Sequence, residues 1–346
     1  MTRERPSEKS PPNGPPAKNV VPLGTRVGAW QARLVARRLT KAMLERLGVT
    51  LPDPSAPKPA RRVPVPPTTF DGAALRWRLV DNAVATHLEV ELHRAPCNEI
   101  GTTALGELEQ LATLVQAGAG GARALIFHSS VRRGFCAGAD LRELHGALLA
   151  RYEESGRGPA ARLAVAHEVR GFIDRIHAVF DTLDTAPLTT IAATHGFVFG
   201  GGFELALTAD VIVAEKSTRF AFPELRLGLV PGFGGIPRLR RDVGNGVVRD
   251  LLLTGRSVSA KRGHEVGLVS QVVARGQGLE VARKVAEQAS RFDPETTALA
   301  KRFSKPLPRE ELAREKDLFV EMIGSPVVEA ALRKFVESDD VRPYLP

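Results

Sequence analysis

The chain has 346 residues, of which 43% are hydrophobic, and it carries a formal net charge of +9. This length is enough to bury a full core in one to three domains. There is no apolar run of about 18 residues or more and no apolar core of a signal peptide, so the expectation is neither a membrane span nor secretion. The two cysteines, Cys97 and Cys136, stand in no metal-binding spacing, which predicts a cytoplasmic protein without a metal site.

The positive charge is confined to an N-terminal extension, residues 1–69. This segment has 13 Lys and Arg against 4 Asp and Glu, and the rest of the chain has 35 of each. Residues 1–22 are Pro-rich and polar, which predicts disorder, and residues 51–67 hold seven prolines, which predicts a semi-extended linker. Between them, residues 24–48 have the spacing of a helix that ends at Gly48.

The predicted helix over residues 24–48 has an apolar face beside a basic ridge. The apolar face consists of Val35, Ala36, Leu39, Ala42, Met43 and Leu47, and the ridge of Arg33, Arg37 and Lys41. Packing of this face onto the protein's own surface is the simplest interpretation. Docking of an acidic partner such as an acyl carrier protein is the alternative. The excess charge would also suit nucleic acid, but Trp30 is the segment's one aromatic residue and no reading motif is present. We therefore expect neither a nucleic-acid nor a membrane partner.

From Phe70 onward the sequence alternates between strand and helix patterns. RWRLVD and VATHLEVEL predict paired strands around a turn at Asp81 and Asn82. GTTALGELEQLATLVQ predicts a helix capped by Thr102 or Thr103, and ALIFHS predicts a buried strand. A helix over residues 160–185 and the strands TTIAATH and DVIVAE follow. Beyond residue 245 the pattern is helical except for LVSQVV. This order predicts an α/β core over residues 70–260 and a C-terminal helical subdomain over residues 261–346.

Two glycine-bearing turns and two glutamates are the most informative features of the core. The turns are RGFCAGADL, residues 133–141, and GFVFGGGFELAL, residues 196–207. Glu204 follows the three glycines, and Glu224 ends the apolar segment RFAFPE. Glycines at a helix start let backbone N–H groups approach a negative oxygen. A carboxylate pair beside such N–H groups suits acid–base chemistry on an enolate, which predicts an enzyme.

These two segments, together with FAFPELRLGLVPGFGGIPRL at residues 220–239, resemble the signature blocks of the crotonase (enoyl-CoA hydratase/isomerase) superfamily. The resemblance runs from about residue 70 to about residue 346. It implies an α/β fold built as a superhelix of ββα units, with C-terminal helices that pack into trimers or into hexamers made of two trimers. Apolar stripes in the C-terminal helices agree with such an assembly: Leu312, Leu318, Phe319, Met322, Val327, Val328, Leu332 and Phe335.

The resemblance also implies the site residues and an acyl-CoA substrate, with coenzyme A as part of the substrate and no separate cofactor. By family position, the catalytic residues are Glu204 and Glu224, the oxyanion hole is the N–H groups of Ala137 and Gly201, Gly232 positions the water, and coenzyme A lies against Ala137, Gly138, Ala139 and Asp140. Asp140 is independently expected to cap the helix that follows it.

The surroundings of the two glutamates predict different protonation. Glu204 should lie in the first turn of a helix, where the helix dipole favours the ionised form. Glu224 should lie among apolar groups, which raise its pKa, so the pair can divide the acid and base roles. Arg238 and Arg240 are expected on the solvated surface.

The predicted activity is an enoyl-CoA hydratase, a hydro-lyase that can also run as a 3-hydroxyacyl-CoA dehydratase. An isomerase that keeps one glutamate is the nearest alternative, and decarboxylases or hydrolases of the same fold stay open, as does a carrier-protein thioester. Residues 151–163 form an insert in the stretch between Leu141 and Ile191. The resemblance implies that this stretch borders the acyl pocket, as it does in relatives.

Overall fold

The structure is a computed structural model that describes residues 64–81 and 85–338, apart from the side chains of residues 155 and 159. The described residues belong to one compact unit that begins at Pro64, and residues 64–69 are therefore part of it. The predicted helix over residues 24–48 lies outside the described residues, as does Asn82 of the predicted turn. The division between residues 260 and 261 stays a prediction.

The described part of the chain alternates strands and helices up to its helical C-terminal region. The strands are β1 (Thr69–Asp71), β2 (Leu75–Asp81), β3 (Thr86–Leu92), β4 (Ala124–Ser129), β5 (Gly134–Cys136), β6 (Thr189–Thr194), β7 (Phe197–Phe199), β8 (Val211–Glu215), β9 (Arg219–Ala221), β10 (Val258–Ser259) and β11 (Gln271–Val273). The helices are α1 (Thr102–Gln116), α2 (Leu141–Ser155), α3 (Pro159–Asp184), α4 (Gly201–Ala206), α5 (Gly235–Val243), α6 (Asn245–Thr254), α7 (Ala260–Glu265), α8 (Gly278–Ala289), α9 (Pro294–Ser304), α10 (Arg309–Ile323) and α11 (Pro326–Glu337), with 3₁₀ turns at Ala119–Gly121 and Glu224–Leu227.

The described strands form two sheets. The larger has the order β1-β2-β3-β4-β6-β8-β11, antiparallel from β1 to β3 and parallel from β3 onward. The smaller has the order β10-β9-β7-β5, in which β5, β7 and β9 run parallel. The predicted pairing of the first two strands is confirmed as β2 with β3. The short strand β10 was not predicted. It pairs antiparallel with β9 at the edge of the smaller sheet.

Strands of the two sheets alternate along the chain, because β4, β6 and β8 are each followed at once by a strand of the smaller sheet. The chain turns from β6 to β7 at Gly196, which has a φ of +56°, and a methyl group there would collide with the Arg133 carbonyl. A helix then follows β5 and β7, giving the ββα order that the sequence predicts. Because β5 and β7 are parallel neighbours, their C-terminal ends reach one edge of the smaller sheet.

The C-terminal helices pack on the same chain. Helix α10 packs against α3, and α11 packs against α2 and the 3₁₀ turn that begins at Glu224. Four members of the predicted apolar stripes, Leu312, Phe319, Val328 and Leu332, are buried within this chain, and Leu318 and Val327 are exposed. Met322 and Phe335 are partly buried against the same core, so six of the eight residues pack within this chain, and the oligomer stays a prediction.

Two further local observations bear on the predictions. Helix α1 begins after Gly101, which is its N-cap, so neither Thr102 nor Thr103 caps it. Helix α3 begins with Pro159 in its first turn and ends at Asp184, close to the predicted bounds. Among the residues described, none of the helices has the length and apolar character to cross a membrane.

Candidate active site

The site is built where the ends of β5 and β7 meet. After β5 the chain turns through Ala137 to Asp140, and after β7 it turns through Gly200 into α4. The backbones of the two turns approach each other closely, and there is no room for a side chain between them. A methyl group added to Gly138 would lie 3.0 Å from the Gly201 nitrogen, and one added to Gly201 would lie 3.4 Å from the Ala139 nitrogen. Gly200 itself has a φ of +47°. These glycines are required by the close approach.

The backbone donors in the two turns differ from the predicted pair in one member. The Ala137 N–H donates to the Cys97 carbonyl at 3.0 Å, so it is already engaged inside the protein. Ile100 pairs with this turn through Gly138 O and Asp140 N, which leaves the Ala139 N–H without an acceptor among the described residues. The Gly201 N–H, at the start of α4, likewise has no acceptor there. The N–H groups that remain available in these turns are therefore those of Ala139 and Gly201, whereas the Ala137 N–H, predicted as a donor, is occupied by its hydrogen bond to Cys97.

Glu204 lies in the first turn of α4, as predicted, and it is 2% exposed. Its Oε1 accepts hydrogen bonds at 2.8 Å from both the Phe233 N–H and the Gly235 N–H. Burial raises the pKa of Glu204 to about 7, although these two donors and the Arg238 guanidinium act to lower it. The prediction from the helix dipole had the opposite direction, because it left out the loss of hydration on burial.

Glu224 begins the 3₁₀ turn after β9, and its side chain points back at Gly200. Its Oε2 is buried and has no hydrogen-bond partner among the described residues. Burial raises the pKa of Glu224 well above its usual value, and the charges of Glu204 and Glu315 raise it further. The predicted direction is thus confirmed. An unpartnered buried carboxyl oxygen is costly, which marks it as a place for a ligand atom.

A third buried carboxylate, Glu315 of α10, was not predicted. It accepts hydrogen bonds from the Gly234 N–H at 2.7 Å and from the Ile236 N–H at 2.8 Å. Four successive N–H groups at the start of α5 therefore alternate between Glu204 and Glu315. The signal was present in the sequence, because Glu315 lies three residues after Leu312 and four before Phe319, on one helical face. A carboxylate on an apolar stripe indicates a buried partner.

Arg238 stabilises the same loop, residues 233–236, through its guanidinium. Its side chain is 0% exposed, and it donates to Asp184 at 2.8 Å, to Asp181 at 2.6 Å and to the Phe233 carbonyl at 3.0 Å. The expectation that Arg238 lies on the solvated surface is wrong, because two carboxylates of α3, the buried Asp184 and the partly exposed Asp181, pair with it. Arg240 is exposed and pairs with Glu311 at 3.0 Å.

The other predicted residues border the same space. Gly232 lines it beside the two glutamates, and its carbonyl is held by His177 Nε2 at 2.8 Å. Burial lowers the pKa of His177 to about 4, so this histidine is neutral and donates. Asp140 caps α2 by accepting from the Glu143 N–H at 3.0 Å, as predicted, and it also pairs with Arg94 at 2.9 Å. The contact of coenzyme A with residues 137–140 stays a prediction.

Together these groups line a cavity of about 50 Å³. Its lining includes Ala137, Gly138, Ala139, Gly200, Gly201, Glu204, Glu224, Gly232, Phe233 and Phe319. A space of this volume holds a water molecule and a small group. The arrangement therefore brings two N–H donors, two carboxyl groups of raised pKa and room for a reacting atom into one place.

Comparison with known proteins matches this chain to enoyl-CoA hydratases and isomerases. The model of the enoyl-CoA hydratase/isomerase family matches residues 82–342. Human mitochondrial methylglutaconyl-CoA hydratase is 36% identical over 174 residues, which are 50% of this chain and 46% of that protein. An enoyl-CoA isomerase/hydratase of Zymoseptoria tritici is 35% identical over 205 residues, 55% of this chain and 61% of that protein. This chain thus spans about half the length of the curated relatives it matches.

Solved structures match over more of their length. The enoyl-CoA hydratase from Bacillus anthracis is 28% identical, with a TM-score of 0.56 over 75% of this chain and 96% of that chain. Pseudomonas aeruginosa DspI is 26% identical, with a TM-score of 0.55 over 71% of this chain and 95% of that chain. The predicted fold class is confirmed.

Proposed function

This chain belongs to the enoyl-CoA hydratase/isomerase family, and from that premise we propose that it adds water across the α,β double bond of an enoyl thioester of coenzyme A. The observation that carries the proposal is the unpartnered Glu224 Oε2, buried beside Glu204 in the small cavity. A single acid–base carboxyl group suffices to move a double bond, whereas two carboxyl groups can hold and deprotonate a water. Both carboxyl groups border this cavity, which favours hydration over isomerisation.

The thioester oxygen lies between the Ala139 and Gly201 N–H groups. As the water oxygen bonds to the β-carbon, the electrons of the double bond move toward the thioester and build negative charge on that oxygen. The two donors stabilise this charge, and one such donor typically contributes about 3–4 kcal/mol. No acceptor in the described chain competes for these donors, so they are oriented before the substrate binds.

The two glutamates divide the proton transfers. Glu204 has the lower pKa of the two, since two backbone N–H groups hold its Oε1, and it therefore accepts the proton of the attacking water. Glu224 keeps its proton to higher pH and delivers it to the α-carbon. The Gly232 N–H has no acceptor among the described residues, and we assign it to the same water. The reverse reaction, dehydration, uses the same groups with their roles exchanged.

The test is hydration of crotonyl-CoA, followed by the loss of ultraviolet absorbance of the conjugated thioester. Glu204→Gln and Glu224→Gln should each lower kcat by roughly 10²–10⁴-fold, the usual scale for one acid–base group. The exposed Glu321, changed to Gln, is the matched control and should keep full activity. If Glu224→Gln hydrates at the full rate while Glu204→Gln does not, the two-carboxylate mechanism is wrong. A double-bond shift in a 3-enoyl-CoA then becomes the activity to measure.

A further inference from the structure

A second cavity opens beside the catalytic one, between α2 and α3. Its volume is about 130 Å³. The side chains that line it are mostly aliphatic or aromatic, among them Leu144, Leu148, Val165, Val169, Phe172 and Ile173. It shares part of its wall with the catalytic cavity, since Ala139, Leu144, Phe233 and Phe319 border both. A group that extends from the catalytic cavity therefore enters an apolar space.

The charges at the edge of this cavity are mostly negative, and the cation among them is already engaged. Arg151 donates to Glu168 at 2.6 Å and to Glu154 at 2.8 Å, which joins α2 to α3. Asp140, Glu143 and Glu168 line the cavity together with Arg151. A carboxylate on a bound ligand would thus meet three like charges, and the Arg151 cation beside them is already shared between two carboxylates.

We propose that this cavity binds the distal part of an uncharged, apolar acyl chain and that it selects against an acyl chain ending in a carboxylate. The inference rests on the proposed function, because it takes the thioester to lie between Ala139 and Gly201. A cavity of this volume has room for about four groups of water size, at about 30 Å³ each. These four groups come after the four carbons of the crotonyl chain, which lie nearest the thioester, so the best substrate is an enoyl chain of about eight carbons.

The expected selectivity follows from burial of methylene groups. Each buried methylene should raise kcat/KM by about fourfold. From crotonyl-CoA to 2-octenoyl-CoA the rise should be on the order of 10²-fold, and it should level off beyond this length, where further carbons reach solvent. Glutaconyl-CoA, which ends in a carboxylate, should be at least about tenfold worse than an uncharged chain of equal length.

The experiment measures kcat/KM for enoyl-CoA substrates of four to ten carbons and for glutaconyl-CoA. It is repeated with Val169→Phe, which adds a ring to the wall of the cavity, and with Leu163→Phe as the control. Leu163 lies on the same helix, is 73% exposed and does not line the cavity. Val169→Phe should lower the ratio of octenoyl to crotonyl kcat/KM by about tenfold or more, the scale of two lost methylene contacts, and Leu163→Phe should leave that ratio unchanged.

Binding of saturated octanoyl-CoA and butyryl-CoA, measured by calorimetry, separates this inference from the proposed function. Tighter binding of octanoyl-CoA that weakens in Val169→Phe supports the cavity assignment even for a protein that hydrates nothing. Hydration of crotonyl-CoA with no gain toward octenoyl-CoA overturns the inference and leaves the proposed function standing. Faster turnover of glutaconyl-CoA than of an uncharged enoyl-CoA of equal length overturns the inference that the cavity selects against a terminal carboxylate. A Val169→Phe protein that does not fold leaves the chain-length series of the wild type as the deciding measurement.

Discussion

The burial of Glu204 makes a quantitative prediction about stability as well as activity. Its pKa rises from 4.5 to about 7 on folding, so the folded protein holds this proton more tightly than the unfolded chain does. The resulting contribution to stability is present below pH 4.5 and is lost as the pH rises through about 7. At 1.36 kcal/mol for each pH unit, the loss amounts to about 3 kcal/mol at pH 8. Glu204→Gln has no such titration.

The unfolding free energy of Glu204→Gln relative to the wild type should therefore increase by about 3 kcal/mol between pH 4.5 and pH 8. Removal of the Glu204 charge also lowers the pKa of Glu224, which adds to the difference in the same direction. The measurement is reversible urea unfolding, followed by fluorescence of the buried Trp77, at several pH values. Glu321→Gln, at an exposed position, is the control.

Following the difference between the two proteins across pH cancels effects that do not titrate, such as the altered hydrogen bonds to Phe233 and Gly235. Two parallel curves would refute the reasoning, because they would show that Glu204 has the same proton affinity in both states. A gain in stability at high pH together with a large loss of hydration would show that this carboxylate is kept for chemistry at a cost in stability.

Three further predictions concern the pH profile of the reaction, the stability contributed by Glu315 and the assembly of the protein. The kcat/KM of hydration should rise through about pH 7, where Glu204 ionises, and fall at higher pH as Glu224 loses its proton; a flat profile from pH 5 to 9 would contradict these roles. Glu315→Ala should lower the unfolding free energy by about 2–6 kcal/mol, since two buried N–H groups lose their acceptor, and Glu315→Gln should recover part of it in urea titrations. Leu318 and Val327 are exposed on the C-terminal helices, and we expect a trimer; light scattering that shows a monomer at micromolar concentration would refute this.

The two glutamates that we propose as acid and base could be located from the sequence because both are attached to local motifs. Three glycines and an apolar helix start place Glu204 at the end of β7, and the apolar segment before Glu224 places it beside the same edge. The strand and helix patterns likewise predict β2, β3, β4, β6 and β8, since each is a short run whose alternation or apolar character depends on its own residues.

Three features were decided by the tertiary structure, because each depends on a partner distant along the chain. The Ala137 N–H is engaged by Cys97, forty positions away, so the free donor is that of Ala139. The carboxylate of Glu315 lies 111 positions from Glu204 and joins it on one loop. Arg238 is buried because Asp181 and Asp184 come to it from α3.

The glycine-rich motifs by themselves determine which turns exist and which carboxyl groups stand near them, since backbone conformation is a local property. Which backbone N–H stays available, how far burial raises a pKa and which apolar stripes are covered are set by packing. Desolvation depends on every atom around a group, and those atoms come from distant elements such as α3, α5 and α10. The sequence therefore predicts the parts of the site, and only the folded chain decides their hydrogen bonds and charges.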